Sequence, residues 1–260
     1  MTLIFGARCV DGVVIVGDRL VKTGDNISYN IDKIRKCGDF QWAIFGASGL
    51  GTLFEEFLNI LPRNVNNRFS WVRYQNAKLK RDKEKIFKKD ADAPNPPFFD
   101  YSIEDFKHDC VELLTEMKNR YSVAFENDDD CILQILIGVG VGKGAEAKLY
   151  YLDSINCLPA EVPESLFIGY GERVEVFRKC WHTGMTMRQS AMLGAFTIKY
   201  VEHDQITKNV GLDGRKPQIW CIPDGGIPKE VLGAELDEIM SGVDKELQPV
   251  YLKLHSLFRS

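Results

Sequence analysis

The sequence predicts an α+β protein in which strands and helices occupy separate blocks of the chain. Two hairpin-like segments open it and two helix-like segments follow; strands, two more helices, a last strand and a helical C-terminal stretch complete it. Such blocks favour layered packing over alternating βαβ units. Of its 260 residues 45% are hydrophobic, which is enough to bury a large core within one domain.

Each opening hairpin is predicted from two apolar runs that flank a turn-forming pair. A glycine next to an aspartate between runs rich in Val, Ile and Phe is a strong short-range hairpin signal. The runs are 3–9 and 13–17 around Asp11-Gly12, then 34–37 and 40–45 around Gly38-Asp39, with a polar stretch at 22–30 between the hairpins. Two successive hairpins predict antiparallel sheet.

Helices are predicted where apolar residues recur every three or four positions, and strands where short apolar runs return. Thr186 and Gln189 have the spacing of a capping box, which marks a helix start. The predicted helices are 50–61, 102–123, 172–182, 186–204 and a stretch from Pro228 onward; the later strands are 131–139, 148–152, 166–168 and 218–222.

Residues 63–100 differ in composition from the rest. They are rich in Lys and Arg and end in a proline-rich stretch, so they can bury little apolar area. We therefore expect one domain over 1–260, with an insertion at about 63–100 and a C-terminal helical extension at about 227–260. The basic run at 78–89 carries interleaved acidic residues, which favours a solvated helix over a nucleic-acid site.

Composition also excludes several classes of function. The net charge of −4 argues against nucleic-acid or anionic-lipid binding, and no apolar run reaches a membrane-spanning length. Seven dispersed cysteines without a CxxC pair, and no secretory leader, favour the cytoplasm. Four histidines lack metal spacing, and the glycine run 138–144 lacks the first Gly and the Ser or Thr of a phosphate loop. We expect no cofactor and no metal.

A nucleophile is suggested by the Met1-Thr2 start. Removal of Met1 would leave Thr2 with a free α-amine, so that one residue carries both a hydroxyl nucleophile and a base. An α-amine has an ordinary pKa of about 7.7 to 8, so a modest lowering makes it a proton acceptor near neutral pH. Asp18 follows the second strand, and Lys33 begins the third apolar segment.

Taken in order, Thr2, Asp18, Lys33 and the turn Gly46-Ala47-Ser48-Gly49 resemble the β-type proteasome family of N-terminal nucleophile hydrolases. The resemblance is specific over residues 2–61 and weaker beyond. It implies a four-layer αββα sandwich of two mostly antiparallel sheets between helical layers. It also implies that Lys33 tunes the nucleophile, that Asp18 orients it and that the backbone N–H of Ala47 binds the oxyanion. The implied substrate pocket consists of Leu20, Phe45, Gly46 and Gly49.

The sequence departs from the family at the accessory groups. The turn that carries a serine in the family is Gly169-Tyr170-Gly171 here. The function expected from the resemblance is a threonine-nucleophile amidohydrolase that cleaves peptide bonds through an acyl-ester on Thr2. Two alternatives stay open: a peptide ligase or transpeptidase that uses the same ester, and a non-catalytic ring or scaffold subunit. A polypeptide substrate and a homo-oligomer, possibly a ring, are the expected partners.

Overall fold

Twelve strands and five helices follow one another in the computed structural model, which describes residues 2–23, 27–37, 42–61, 103–122, 133–140, 146–157, 159–169, 174–203, 210–212 and 214–258. The strands are β1 (Leu3–Cys9), β2 (Gly12–Gly17), β3 (Leu20–Thr23), β4 (Ile27–Asn30), β5 (Ile34–Lys36), β6 (Ala43–Ser48), β7 (Gln134–Val139), β8 (Lys148–Asp153), β9 (Ala160–Glu161), β10 (Ser165–Gly169), β11 (Gln218–Pro223) and β12 (Lys229–Glu230). The helices are α1 (51–61), α2 (Ile103–Arg120), α3 (Glu175–Arg178), α4 (Met187–His203) and α5 (Gly233–Phe258).

The described strands form two five-stranded antiparallel sheets and a separate ribbon. The first sheet has the order β10-β1-β2-β11-β12, the second the order β5-β6-β7-β8-β9, and β3 pairs with β4 alone. Both predicted opening hairpins are confirmed: β1 pairs with β2, and β5 with β6. The ribbon lies in the polar stretch between them, where no apolar alternation marks a strand, so the sequence pattern missed it.

The two sheets pack face to face, and helices cover their outer faces. An apolar layer between the sheets includes Ile4, Ile15, Ile44 and Leu136. Burial of such branched aliphatic side chains is the main stabilising contribution. The fully buried residues of α1 and α2 pack on the second sheet, and those of α4 and α5 on the first. The predicted four-layer αββα sandwich is therefore confirmed.

Helix starts and lengths follow the sequence with two exceptions. The capping box is present, since Gln189 N–H donates to Thr186 Oγ1 at 3.3 Å and Thr186 N–H donates to Gln189 Oε1 at 2.9 Å. The helix predicted at 172–182 is wrong in length, because α3 has four residues and the chain then turns to bury Trp181 against the first sheet. The stretch from Pro228 first forms β12, and α5 begins only at Gly233. The predicted insertion at 63–100 lies outside the described residues.

Candidate functional site

Thr2 lies immediately before β1, at the edge where the two sheets meet, and only 8% of its surface is exposed. The next residue ties this end of the chain to Asp18, which follows β2. Leu3 N–H donates to Asp18 Oδ1 at 2.9 Å, and Asp18 N–H donates to the Leu3 carbonyl at 3.1 Å. The side chain and the main chain of Asp18 therefore both hold the backbone next to Thr2 in place.

Lys33 and Asp18 form a buried ion pair beside this strand. Lys33 Nζ donates to Asp18 Oδ2 at 2.7 Å and to the Leu20 carbonyl at 2.6 Å, and the two side chains are 3% and 0% exposed. Gly211 N–H approaches Asp18 Oδ2 at 3.4 Å, so the segment 210–212 closes over the carboxylate. The structure thus brings Asp18 and Lys33 together at the residue next to Thr2.

Burial dominates the proton affinities of this pair. It lowers the pKa of the Lys33 ammonium, against the opposing attraction of Asp18. It raises the pKa of the Asp18 carboxyl, against Lys33 and the N–H groups of Leu3 and Gly211. Taking two charges out of water costs several kcal/mol per ion, so a buried pair is rarely kept for stability alone. A perturbed, buried pair next to a candidate nucleophile is a feature of functional sites.

Gln218, at the start of β11, holds the backbone of Lys33 in place. Its Oε1 accepts the N–H groups of Lys33 at 2.7 Å and Ile34 at 3.0 Å, and its Nε2 donates to the Ile34 carbonyl at 3.1 Å. Gln218 is 2% exposed and belongs to the first sheet, whereas Ile34 begins β5 of the second. The Gln218 side chain therefore connects the two sheets and fixes the position of the Lys33 backbone between them.

On the other side of Thr2, the end of β10 lies against it at Gly169. A Cβ at Gly169 would lie 2.0 Å from the Thr2 carbonyl oxygen and 2.6 Å from Ser48 Oγ, and Gly169 has φ 81°. Only glycine fits that space and that backbone conformation. Gly169 N–H donates to Gln134 Oε1 at 2.8 Å, and Gln134 Nε2 donates to the Tyr151 hydroxyl at 3.2 Å.

The predicted oxyanion donor, the N–H of Ala47, is already hydrogen-bonded in this structure. Ala47 is part of β6, and its N–H donates to the Lys33 carbonyl at 3.2 Å. The resemblance places a free N–H at this position, but here β6 continues through Ser48 and pairs with the segment that carries Lys33. A donor already engaged in a sheet hydrogen bond binds an oxyanion only if it gives up or shares that bond.

Two of the four residues of the implied substrate pocket, Phe45 and Gly46, are buried. Phe45 is fully buried and contacts Phe57 and Phe106 under α1 and α2. Gly46 faces the layer between the sheets, where a Cβ would lie 3.3 Å from Ile4 and Ile15. Alternation along β6 turns Phe45 toward the helices and Gly46 toward the layer between the sheets, and their assignment to the pocket stays a prediction. Leu20 is buried beside the ion pair, and Gly49 is exposed with φ 119°.

Cysteine is the other possible side-chain nucleophile, but burial disfavours its reactive thiolate form. It raises the pKa of Cys9 to about 11 and the pKa values of Cys37 and Cys221 to about 12, from an ordinary 9.0. Burial also raises the pKa of Cys110. The thiolate is the reactive form, so these four thiols are inert near neutral pH.

Within the described ranges, one group of side chains has ligand atoms close enough to hold a metal ion: His108, Asp109 and Glu112 of α2, with ligand atoms within 4.8 Å of one another. They lie on the helical layer of the second sheet, and His108 and Glu112 are exposed. The site at Thr2 does not include them.

Sequence reasoning missed Ser48, Gln134 and Gln218 as members of the site. Ser48 was only one residue of a glycine-rich turn, and Gln218 is 185 residues from the backbone it holds. Polar residues inside otherwise apolar strands were the available signal, because a buried amide needs partners.

Comparison with known proteins supports the fold. The sequence matches no protein-family model, and a search of the curated proteins gives no match. Among solved structures, it resembles Anbu (ancestral beta-subunit) from Yersinia bercovieri, with a TM-score of 0.65 and 12% identity over 96% of this chain and 97% of that one. The chain therefore has a proteasome-like fold. Across the described part of the chain, no helix is long and apolar enough to cross a membrane.

Proposed function

We propose that the protein is a threonine-nucleophile amidohydrolase that cleaves peptide bonds at Thr2. The observation that carries the proposal is the buried ion pair of Asp18 and Lys33. The Asp18 carboxylate accepts the N–H of Leu3, which is the residue next to Thr2. The pair costs desolvation energy that an apolar pair would not. A function at Thr2 accounts for that cost.

The chemistry needs a free α-amine on Thr2, produced by removal of whatever precedes it. The Thr2 hydroxyl attacks the scissile carbonyl carbon while its proton passes to the α-amine. The amine then gives that proton to the departing amine of the substrate, and an acyl-ester forms on Thr2. Water hydrolyses the ester and restores the hydroxyl. The positive charge of Lys33 favours the neutral, proton-accepting form of the α-amine.

A second candidate, a non-catalytic subunit of an assembly, is favoured by one observation. The N–H of Ala47, which the resemblance assigns to the oxyanion, is bonded to the Lys33 carbonyl at 3.2 Å. Without that donor the acyl-transfer step loses its main electrostatic stabilisation.

Covalent labelling distinguishes these functions. Purified protein is first checked by intact mass for a Thr2 N-terminus, then incubated with a β-lactone or a peptide epoxyketone. We expect one adduct on Thr2, none on Thr2→Ala, and a slower one on Thr2→Ser. Product analysis with an added amine then separates hydrolysis from ligation. An adduct on a cysteine that persists in Thr2→Ala, or no adduct on protein with a free Thr2, would refute the proposal.

We also propose a polypeptide substrate, a homo-oligomer and a cytoplasmic location, and that residues 63–100 form an insertion in a single domain. The proteasome-like fold supports assembly of several copies, and light scattering on the purified protein measures their number. A monomer at all concentrations would contradict the oligomer.

A further inference from the structure

We propose that Gln218 and Arg19 are positioning residues of the Thr2 site, which together keep the Lys33 ammonium on the Asp18 carboxylate. This inference rests on the proposed function, in which Lys33 favours the proton-accepting form of the Thr2 amine. The two side chains, here called the brace, connect the same three segments of the chain, 18–20, 32–34 and 216–218.

The Gln218 amide pairs with the backbone of β5 as a neighbouring strand would. Ile34 donates its N–H to Gln218 Oε1 at 3.0 Å, and its carbonyl accepts Gln218 Nε2 at 3.1 Å. This is the two-bond exchange of an antiparallel strand pair, and Lys33 N–H adds a third bond to Oε1 at 2.7 Å. β5 is an edge strand of the second sheet, so the amide occupies a strand edge that would otherwise be open. Gln218 thereby fixes the backbone from which the Lys33 side chain extends.

The main chain of Gln218 belongs to the Asp18 side of the site. In the pairing of β2 with β11, Gln218 lies opposite Gly17, the residue before Asp18. A Cβ at Gly17 would lie 3.1 Å from Ile34 Cδ1, so the glycine lets the start of β5 pack directly on the end of β2. Gln218 therefore holds both partners of the ion pair, one through its strand and the other through its side chain.

Arg19 connects the same segments from the solvent side. Its guanidinium forms an ion pair with Asp32, the residue before Lys33, and its Nε donates to the Lys216 carbonyl at 3.0 Å. Arg19 itself follows Asp18 in the chain. Its side chain is 19% exposed and that of Asp32 56%, so this outer pair adds little stability by itself. What it provides is a second connection between the two ends of the buried pair.

Loss of the brace changes the position of the charges and not their identity. The attraction between two ions weakens when they move apart and when water enters between them. Asp18 Oδ1 also accepts the N–H of Leu3, so a shift of the pair reaches the residue next to Thr2. Gln218 is 2% exposed and lies between the sheets, where it is out of reach of a substrate. We therefore expect variants of the brace to lower the reactivity of Thr2 without weakening the binding of a ligand.

Four variants test the inference. Gln218→Met and Arg19→Met keep the approximate length of each side chain and remove its hydrogen-bonding group, and Gln218→Asn keeps the amide but withdraws it by one methylene. Gln189→Met is the matched control, because the Oε1 of Gln189 also accepts a backbone N–H, that of Thr186 at 2.9 Å. Gln189 lies at the start of α4, near the turn at the other end of β1.

The first measurement is the rate of Lys33 acetylation by acetic anhydride, followed by peptide mass spectrometry. Lys33 is 4% exposed, so the parent should react slowly. We expect acetylation about tenfold faster in both Gln218 variants and about threefold faster in Arg19→Met, the scale of the hydrogen bonds removed. Gln189→Met should react as the parent does. Alkylation of Cys9, which is buried in the first sheet, is measured in the same samples as a reference for general loosening and should stay unchanged.

The second measurement is the rate of β-lactone addition to a free Thr2 as a function of β-lactone concentration. We expect the maximal rate to fall about tenfold in Gln218→Met, while the concentration that gives half of that rate stays the same. A role in binding would instead raise the half-saturating concentration and leave the maximal rate unchanged.

The acetylation measurement does not depend on any reaction at Thr2. If the parent with a free Thr2 never reacts with the β-lactone, the proposed hydrolase function fails, while faster Lys33 acetylation with unchanged Cys9 alkylation still supports the brace. Acetylation of Lys33 at the parent rate in both Gln218 variants would overturn the inference. So would a rise in Cys9 alkylation by the same factor. If Gln218→Met does not fold, Gln218→Asn and Arg19→Met decide the question, and parent rates in both would overturn it.

Discussion

Replacing Lys33 by methionine separates what the buried ion pair does for stability from what it does for Thr2. The two charges are 2.7 Å apart, and at an effective dielectric constant of about 20 their attraction is about 6 kcal/mol. Lys33→Met removes that attraction and leaves Asp18 buried without its cation. Breaking a buried pair in this way typically costs about 3 to 5 kcal/mol of folding free energy. Because both partners are buried, we expect any apolar replacement of Lys33 to destabilise the fold.

The double variant Asp18→Asn/Lys33→Met removes both charges and keeps an oxygen for Leu3 N–H. We expect it to recover most of the lost stability, since a neutral replacement for both partners avoids the uncompensated charge. It should not recover β-lactone labelling of Thr2. Urea unfolding monitored by circular dichroism measures the first quantity, and intact mass the second.

The single variant should also show a pH dependence that reports on Asp18. Burial raises the pKa of this carboxyl, so in Lys33→Met the folded state holds a proton that the unfolded state has released. Stability is then highest below the unfolded pKa of about 4, and falls by about 1.4 kcal/mol per pH unit up to the folded pKa. A Lys33→Met protein as stable as the parent at pH 7, or a double variant no more stable than the single one, would refute the reasoning. Normal Thr2 labelling in Lys33→Met would refute the assigned role.

Five further predictions concern other parts of the molecule. Gln218→Leu leaves two buried N–H groups unpaired and should cost about 3 kcal/mol in urea unfolding; a loss below about 1 kcal/mol would contradict the bridging role. Gly169→Ala places a Cβ 2.0 Å from the Thr2 carbonyl and should lower the melting temperature and abolish Thr2 labelling. Gly214→Ala, with φ 73° and open space around it, should cost only the left-handed strain of about 1 to 2 kcal/mol. Folded-state thiol pKa values of about 11 to 12 mean that stability is full below pH 9 and falls above it by about 1.4 kcal/mol per pH unit for each thiol, so Cys37→Ala should reduce the slope by that amount. Replacing 66–95 by a short Gly-Ser linker should leave a folded protein with Thr2 labelling intact; an unfolded product would show that the segment belongs to the core.

Local patterns were sufficient to predict most of the fold, whereas the roles of Asp18 and Lys33 came from the family resemblance. The hairpin of β1 and β2 follows from apolar runs around Asp11-Gly12, and α1 and α2 follow from their apolar spacing, because these signals act between neighbours in the chain. Asp18 and Lys33 could be paired because both lie next to strand ends that the resemblance places together. The ribbon of β3 and β4 could not be predicted, since its residues lack apolar alternation.

Other features of the site depend on contacts between distant segments of the chain. Whether Ala47 N–H is free depends on how far β5 and β6 remain paired, and the sequence does not encode that length locally. Which face of β6 Phe45 occupies depends on the helices that cover the sheet, and the sequence does not encode that locally. Ser48 and Gln134 meet the Thr2 region through Gly169, which lies more than a hundred residues from Ser48 along the chain.

The position of β1 in the first sheet determines when, during synthesis and folding, the chain at Thr2 is accessible. β1 lies between β2 and β10, and its register with β10 pairs Leu3 with Gly169. During synthesis at about 5 to 20 residues per second, the partner strand leaves the ribosome tens of seconds or less after the N-terminus. Once β10 docks, Thr2 is 8% exposed and its carbonyl is covered by Gly169. A protease that frees Thr2, as the proposed function requires, therefore has open access to this segment before β10 docks, and we expect a variant that closes this strand pair faster to accumulate as unprocessed protein.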